Sequence, residues 1–158
     1  MSSSKIKTVS SLRIQLARHR RSQEKIVFTN GCFDILHVGH VRYLEQAKSL
    51  GSVLVIGVNA DASVRKLKGA GRPVHCGKDR AEVLAALEAV DYVVFFPEDT
   101  PLKLIRAIRP DFLVKGGDWK IKDIVGSRFV RSYGGKVRSL PYVQGFSTTG
   151  ILEKIGGP

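Results

Sequence analysis

Apolar residues along this 158-residue chain follow two rhythms. Strand-like runs occur at Ile26-Val27-Phe28, Ser52 to Val58, Asp91 to Phe96, Asp111 to Val114 and Lys136 to Leu140. Between them, apolar positions recur at helical spacing: Val41, Leu44, Ala47 and Leu50; Ala62 to Leu67; Val83, Leu84 and Leu87; Leu102, Ile105 and Ile108. Punctuation agrees with this division. Gly51 is a C-cap signal, Pro97 ends the third strand, and Thr100-Pro101 supplies an N-cap and a first-turn proline. Upstream, residues 8 to 23 read as a helix capped by Ser10 or Ser11, with Leu12, Leu16 and His19 on one face. Residues 121 to 133 read as a weak helix or loop. Continuous apolar strands alternating with helices predict an α/β fold: a doubly wound sheet of about five parallel strands with helices on both faces. Residues 1–24 are expected to form an N-terminal helical extension that packs on the domain or on a partner subunit, and residues 25–158 one domain.

In such a sheet, ligands sit at the carboxyl ends of the strands. The first apolar run leads straight into Thr29-Asn30-Gly31-Cys32-Phe33-Asp34-Ile35-Leu36-His37-Val38-Gly39-His40. Two imidazoles around a glycine, at the start of a helix, suit an anion: the helix N-terminus offers unpaired N–H groups and a positive dipole end. Gly39 allows close approach where a Cβ would obstruct. Zinc is the competing ligand for two histidines, but no cysteine or carboxylate cluster beside them completes a tetrahedral set. Asp61 reads as the cap of a short helix. That helix ends in Arg65-Lys66-Leu67-Lys68-Gly69, whose lysines either favour the negative helix end or reach phosphate from a mobile loop. The glycine-rich loop from Gly69 to Lys78 has the character of a segment that closes over a site. Lys115-Gly116-Gly117-Asp118-Trp119 follows the fourth strand, where two glycines permit close backbone approach to a ligand. Ser147, Thr148 and Thr149 open the last helix and add hydroxyls to its N–H groups, a second phosphate cradle.

Charge sharpens the picture without fixing it. Twenty-six Lys and Arg stand against 14 Asp and Glu, a net charge of +12. A basic balance fits nucleic acid or small polyanions. The basic residues are spread along the chain, and neither an RNA-type aromatic signature nor a zinc finger accompanies them. No apolar run is long enough to span a bilayer, and the opening residues lack the apolar core of a signal peptide. The expectation is a cytoplasmic protein, with Cys32 and Cys76 as free thiols.

The N-G-C-F-D-I-L-H-x-G-H stretch resembles the signature of the cytidylyltransferase-like nucleotidyltransferases, the HxGH superfamily. With V-K-G-G-D it looks especially like the adenylyltransferases of ADP-heptose synthesis. The resemblance covers roughly Lys25 to Ile155 and implies a Rossmann-like domain. It implies transfer of AMP from ATP to D-glycero-β-D-manno-heptose 1-phosphate, with Mg²⁺ held mainly by the phosphates and water. By its motifs, His37, His40, Lys68 and Arg80 would be catalytic. Asn30, Gly31, Cys32, Phe33, Asp34, Gly39, Lys66, Ser147, Thr148 and Thr149 would bind nucleotide. Lys115, Gly117, Asp118 and Trp119 would bind the acceptor. It also implies a homo-oligomer, a dimer, with small-molecule partners and neither nucleic acid nor membrane. Two alternatives stay open: a cytidylyltransferase acting on glycerol 3-phosphate or another small phosphate, and a basic nucleic-acid-binding module.

Overall fold

A computed structural model describes residues 2–141 and 145–156; Met1 and the last two positions of the expected domain, 157 and 158, lie outside the described residues. The strands are β1 (Ile6–Lys7), β2 (Ile26–Gly31), β3 (Val53–Asn59), β4 (Tyr92–Phe96), β5 (Phe112–Gly116) and β6 (Lys136–Leu140). The α-helices are α1 (Val9–Arg21), α2 (Val38–Lys48), α3 (Asp61–Lys68), α4 (Gly77–Ala86), α5 (Leu102–Ile108), α6 (Ser127–Ser132) and α7 (Thr148–Gly156). The strands form one parallel sheet in the order β1-β4-β3-β2-β5-β6.

The chain builds outward from β2 through β3 to β4, then crosses back to lay β5 and β6 on the other side. The strand order therefore reverses between β2 and β5, and that crevice is where an open α/β sheet receives its ligand. All seven residues of β3 are buried, as a central strand covered on both faces requires. Alternate residues feed two cores. Ile26, Phe28, Val53, Val55 and Leu113 pack with Leu12 and Leu16 of α1, Leu104, Ile105 and Ile108 of α5, and Val130 of α6. Val27, Leu54, Ile56, Val58 and Val114 pack with Tyr43, Leu44 and Ala47 of α2 and Ala81, Leu84 and Ala85 of α4. Gly57 keeps the first core tight: a Cβ there would lie 2.9 Å from Phe28 Cζ and 3.1 Å from Leu104 Cδ2.

Several local expectations differ from the structure, among them the start of α5, whose cap position is Pro101, with no side-chain capping hydrogen bond, rather than Thr100. The sheet has six strands because Ile6 and Lys7 pair with Val93 and Val94 at its edge; two residues are too few to show a period. The cap of α1 is Thr8, whose hydroxyl accepts from Ser11 N at 3.2 Å, rather than Ser10 or Ser11. Asp61 is the first helical residue of α3, after Ala60, and its carboxylate is used elsewhere. Helix α1 buries Leu12 and Leu16 completely in the first core, so it is part of the sheet's covering layer. We expect Leu16→Ala to lower unfolding free energy by about 2–5 kcal/mol in urea titration, the usual cost of emptying a filled core position; a loss near zero would show α1 to be a detachable appendage.

Candidate functional site

A cavity of about 1090 Å³ opens at the carboxyl ends of the strands, beside the point where the strand order reverses. Its walls come from the turn after β2, the starts of α2 and α7, the end of α3, the loop beyond it, and the end of β5. Sequence-distant candidates meet there: Asn30 to Asp34, His37, Gly39, His40, Lys68, Lys115, Trp119 and Ser147 to Thr149 all line it.

The histidines sit as a stacked pair. Their ring centroids are 3.9 Å apart at an interplanar angle of 28°. Phe33 flanks His40 at 5.4 Å, and Phe146 flanks His37 at 6.4 Å, so four rings form a column. His37 occupies the cap position of α2, yet its side chain makes no capping hydrogen bond. The Nδ1 atoms of both imidazoles are buried without a hydrogen-bond partner among the described residues. Gly39 is needed for this packing: a Cβ would lie 2.9 Å from His37 Nδ1 and 3.1 Å from Phe146 Cβ. Burial lowers the affinity of His37 for a proton. Burial, and then the neighbouring His37, take His40 from the ordinary 6.5 down to about 4. Both imidazoles are therefore neutral at neutral pH, each with one N–H to donate.

The opposite wall is the start of α7. Ser147 caps it, its hydroxyl accepting from Gly150 N at 2.9 Å, and its O–H proton stays free to donate. Thr148 donates to the Ile35 carbonyl at 3.3 Å and so ties α7 to the turn that carries the histidines. Lys68 reaches the cavity from the last residue of α3. Lys115, at β5, is half-buried; burial lowers its pKa, with Cys32 opposing and Lys68 adding. Burial pushes the Cys32 thiol up, against the fields of Lys68, Arg80, Lys115 and Arg72. Trp119 stands at the rim, its indole N–H donating to the Gly116 carbonyl at 3.1 Å and its ring 5.9 Å from the Lys115 ammonium.

Four candidates are placed differently from the expectation. Arg80 does not reach the cavity. Its side chain is 2% exposed, and its guanidinium donates to the carbonyls of Asn59 at 2.8 Å, His75 at 3.2 Å and Cys32, and to Asp61 Oδ1 at 2.6 Å. A guanidinium so occupied is a tie between segments. Lys66 is exposed and paired with Asp99 Oδ2 at 2.6 Å, so Lys68 alone of the two lysines lines the cavity. Gly117 is a turn residue at φ +104, and its place in the wall is taken by Gly116. Asp118 is exposed and outside the lining.

Asp34 lines the cavity, but its carboxylate is turned to the loop between α3 and α4. It accepts from Val74 N at 2.8 Å, His75 N at 3.0 Å and the Arg72 Nε. Burial opposes its ionisation, and these three donors more than offset that, holding its carboxyl below the usual range. Among the residues left without a role by the sequence, Arg72 and Phe146 also line the cavity. Arg72 uses only Nε on Asp34, so its terminal nitrogens are free of protein partners among the described residues. An arginine inside the glycine-rich loop, and an aromatic directly before S-T-T, were the available signals.

Residues 28–154 match the model of the cytidylyltransferase-like family. The chain belongs to that family, a class of nucleotidyltransferases. It is 55% identical to the bifunctional protein HldE of Syntrophotalea carbinolica over 152 residues, which is 96% of this chain and 31% of that protein. It is 60% identical to HldE of Pseudomonas paraeruginosa over 136 residues, 86% of this chain and 29% of that protein. The chain thus spans about a third of the length of these curated relatives. Among solved structures, the lipopolysaccharide core biosynthesis protein from Thermoplasma volcanium aligns with a TM-score of 0.64 at 28% identity, over 76% of this chain and 97% of that one. Pantothenate synthetase from Thermus thermophilus shares the fold at a TM-score of 0.61 and 18% identity, over 93% of this chain and 67% of that one.

Two outcomes follow from this geometry. Asp34→Asn removes a buried charge from three donors, each such bond contributing roughly 1.5–3 kcal/mol. Amide exchange at Val74 and His75 is expected to quicken by about tenfold or more while core strands keep their protection; unchanged exchange would show the loop to be held otherwise. The second concerns acid. Between pH 6.5 and about 4 the unfolded chain binds a proton at residue 40 that the folded chain does not. Stability therefore falls as pH drops through that window. His40→Asn should flatten the decline between pH 6.5 and 5, read from denaturation midpoints; an unchanged slope refutes the assignment.

Proposed function

We propose that the chain transfers the AMP moiety of ATP to D-glycero-β-D-manno-heptose 1-phosphate, releasing pyrophosphate and ADP-heptose for lipopolysaccharide-core or related glycans. The observation that carries the reading is the meeting, in one cavity, of the paired imidazoles at the start of α2 and the hydroxyl-bearing start of α7, with Lys68 and Lys115 beside them. Two helix N-termini, neutral N–H donors and two ammonium groups match a triphosphate and a second phosphate lying together. The choice of acceptor rests on the N-G-C-F-D-I-L-H-x-G-H and V-K-G-G-D motifs, and on identity to the HldE proteins over nearly the whole chain.

In this reading an oxygen of the sugar phosphate attacks the α-phosphorus of ATP. A new P–O bond forms, the bond to the bridging α–β oxygen breaks, and pyrophosphate leaves with that electron pair. The attacking oxygen is already anionic, so no base is required. The protein's part is to align the two phosphates and to stabilise charge as it moves onto the leaving group. His37 and His40 donate to the α- and β-phosphates. Lys68, Ser147, Thr148 and Thr149 take the rest of the triphosphate, over a floor formed by Asn30, Gly31, Cys32 and Phe33. Lys115, Trp119 and the backbone at Gly116 face the acceptor. Arg80 and Asp34 act as positioning residues. No cluster of three or more His, Cys, Asp or Glu that could hold a metal converges among the described residues. Mg²⁺ fits this site carried on the triphosphate and its waters. No helix among the described residues is long and apolar enough to cross a membrane, and we place the protein in the cytoplasm as a dimer.

The test is pyrophosphate release from ATP or CTP, each offered with heptose 1-phosphate and with glycerol 3-phosphate. Release with ATP and heptose 1-phosphate alone is expected. Release with CTP alone would favour a cytidylyltransferase instead. His40→Ala should cut turnover by about 10²–10³-fold, the cost of one oriented charge stabiliser, with the far-UV spectrum unchanged; near-normal turnover would remove His40 from the mechanism.

A further inference from the structure

The positive charge of the chain is spread along the sequence, and eight of its 26 cationic residues gather on one side of the fold. Helices α1, α5 and α6 cover one face of the sheet. They carry Arg13, Arg18, Arg20, Arg21, Lys103, Arg106, Arg128 and Arg131, and no Asp or Glu. All eight cationic residues are exposed. Lys103 is paired with Glu98, and Arg20 donates to the carbonyls that end α5. The other six make no ion pair among the described residues. On the opposite face, α2 and α4 balance Arg42, Lys48 and Lys78 against Glu45, Asp79 and Glu82, and Arg80 is internal. None of the eight lines the cavity, so the face is separate from the nucleotide site.

We propose that this face docks on an anionic bilayer surface through lipid phosphate headgroups. Guanidinium groups, seven of the eight here, match phosphate oxygens in a planar, two-pronged manner. Each Lys or Arg near an anionic leaflet strengthens binding about fivefold. Apolar side chains stand among the cations: Ile14, 60% exposed, lies between Arg13 and Arg18, and Val9 is 36% exposed. A bilayer interface takes up such groups, whereas a phosphodiester backbone does not. A single-stranded nucleic acid would lack its stacking platform, since the one aromatic ring on these helices besides His19, Phe129, is half-buried with Arg106 over it. A second copy is disfavoured because two such faces would repel each other. The proposal does not depend on which nucleotide or acceptor the cavity takes.

The test is flotation of the full chain with vesicles of equal parts phosphatidylcholine and phosphatidylglycerol, and with phosphatidylcholine alone, at about 0.1 M salt. Binding only to the anionic vesicles is expected. Arg13→Gln with Arg131→Gln should weaken it by more than about tenfold. Arg42→Gln with Lys78→Gln, an equal loss of charge on the opposite face, should weaken it far less, and both pairs should keep the melting temperature and catalytic rate. Ile14→Ser should weaken vesicle binding several-fold and leave retention on duplex DNA unchanged. Absent binding to anionic vesicles, equal loss from both pairs, or tighter binding to duplex DNA with no effect of Ile14→Ser would each overturn the proposal.

Discussion

The site hangs on a guanidinium buried behind the cavity wall. Arg80 joins the turn after β2, the end of β3, the start of α3 and the loop that follows α3, through the Cys32, Asn59 and His75 carbonyls and Asp61. Burying a cation this deeply is costly unless its donors are met. Here four of its five N–H groups find oxygen, and the Asp61 carboxylate supplies the opposite charge. Asp61 responds in kind: burial disfavours its charge, but Arg80 and the Gly77 amide outweigh that and hold its carboxyl low. The four segments it joins, which frame one side of the cavity, are thus fixed to one another before any substrate arrives.

A second clasp, Asp34, holds the loop between α3 and α4 through Arg72, Val74 and His75, and the two clasps share His75. The division of charge follows. Asp34 and Asp61 are spent on loop amides and guanidinium groups, and Asp99 is paired with Lys66, leaving Lys68, Arg72 and Lys115 as the cations that line the space. The imidazoles add direction instead of charge, since burial keeps them neutral and their column of rings fixes their planes. A polyanion entering here meets donors already aimed, which is the arrangement that stabilises a transition state with little reorganisation.

Much of the fold was readable because buried parallel strands carry continuous apolar runs, as Ile26 to Phe28, Val53 to Val58, Tyr92 to Phe96 and Phe112 to Val114 do. The edge strand β1 was not, since pairing of two residues with β4 is decided by tertiary contact. The position of the histidines at a strand-to-helix turn was also readable, because residue type, spacing and local context agree. The roles of Arg80 and Asp34 were not. Sequence shows a cation and an acid near a phosphate-type motif; it does not show that backbone carbonyls and amides five to 48 residues away would claim them first. Phe146 and Arg72 escaped for the same reason: their places in the wall come from how α7 and the loop pack, and Gly39 admits the first of them.

The edges of the sheet have a further effect. A chain with strands as apolar as Val53–Asn59 invites pairing with unfolded neighbours wherever a strand lies open. The outer strand at one side is two residues long and carries Lys7; the one at the other side turns Lys136 and Arg138 outward. Short length at one border and cationic side chains at the other discourage a foreign strand from adding, so the hydrophobic interior is shielded against aggregation by the chemistry of its margins.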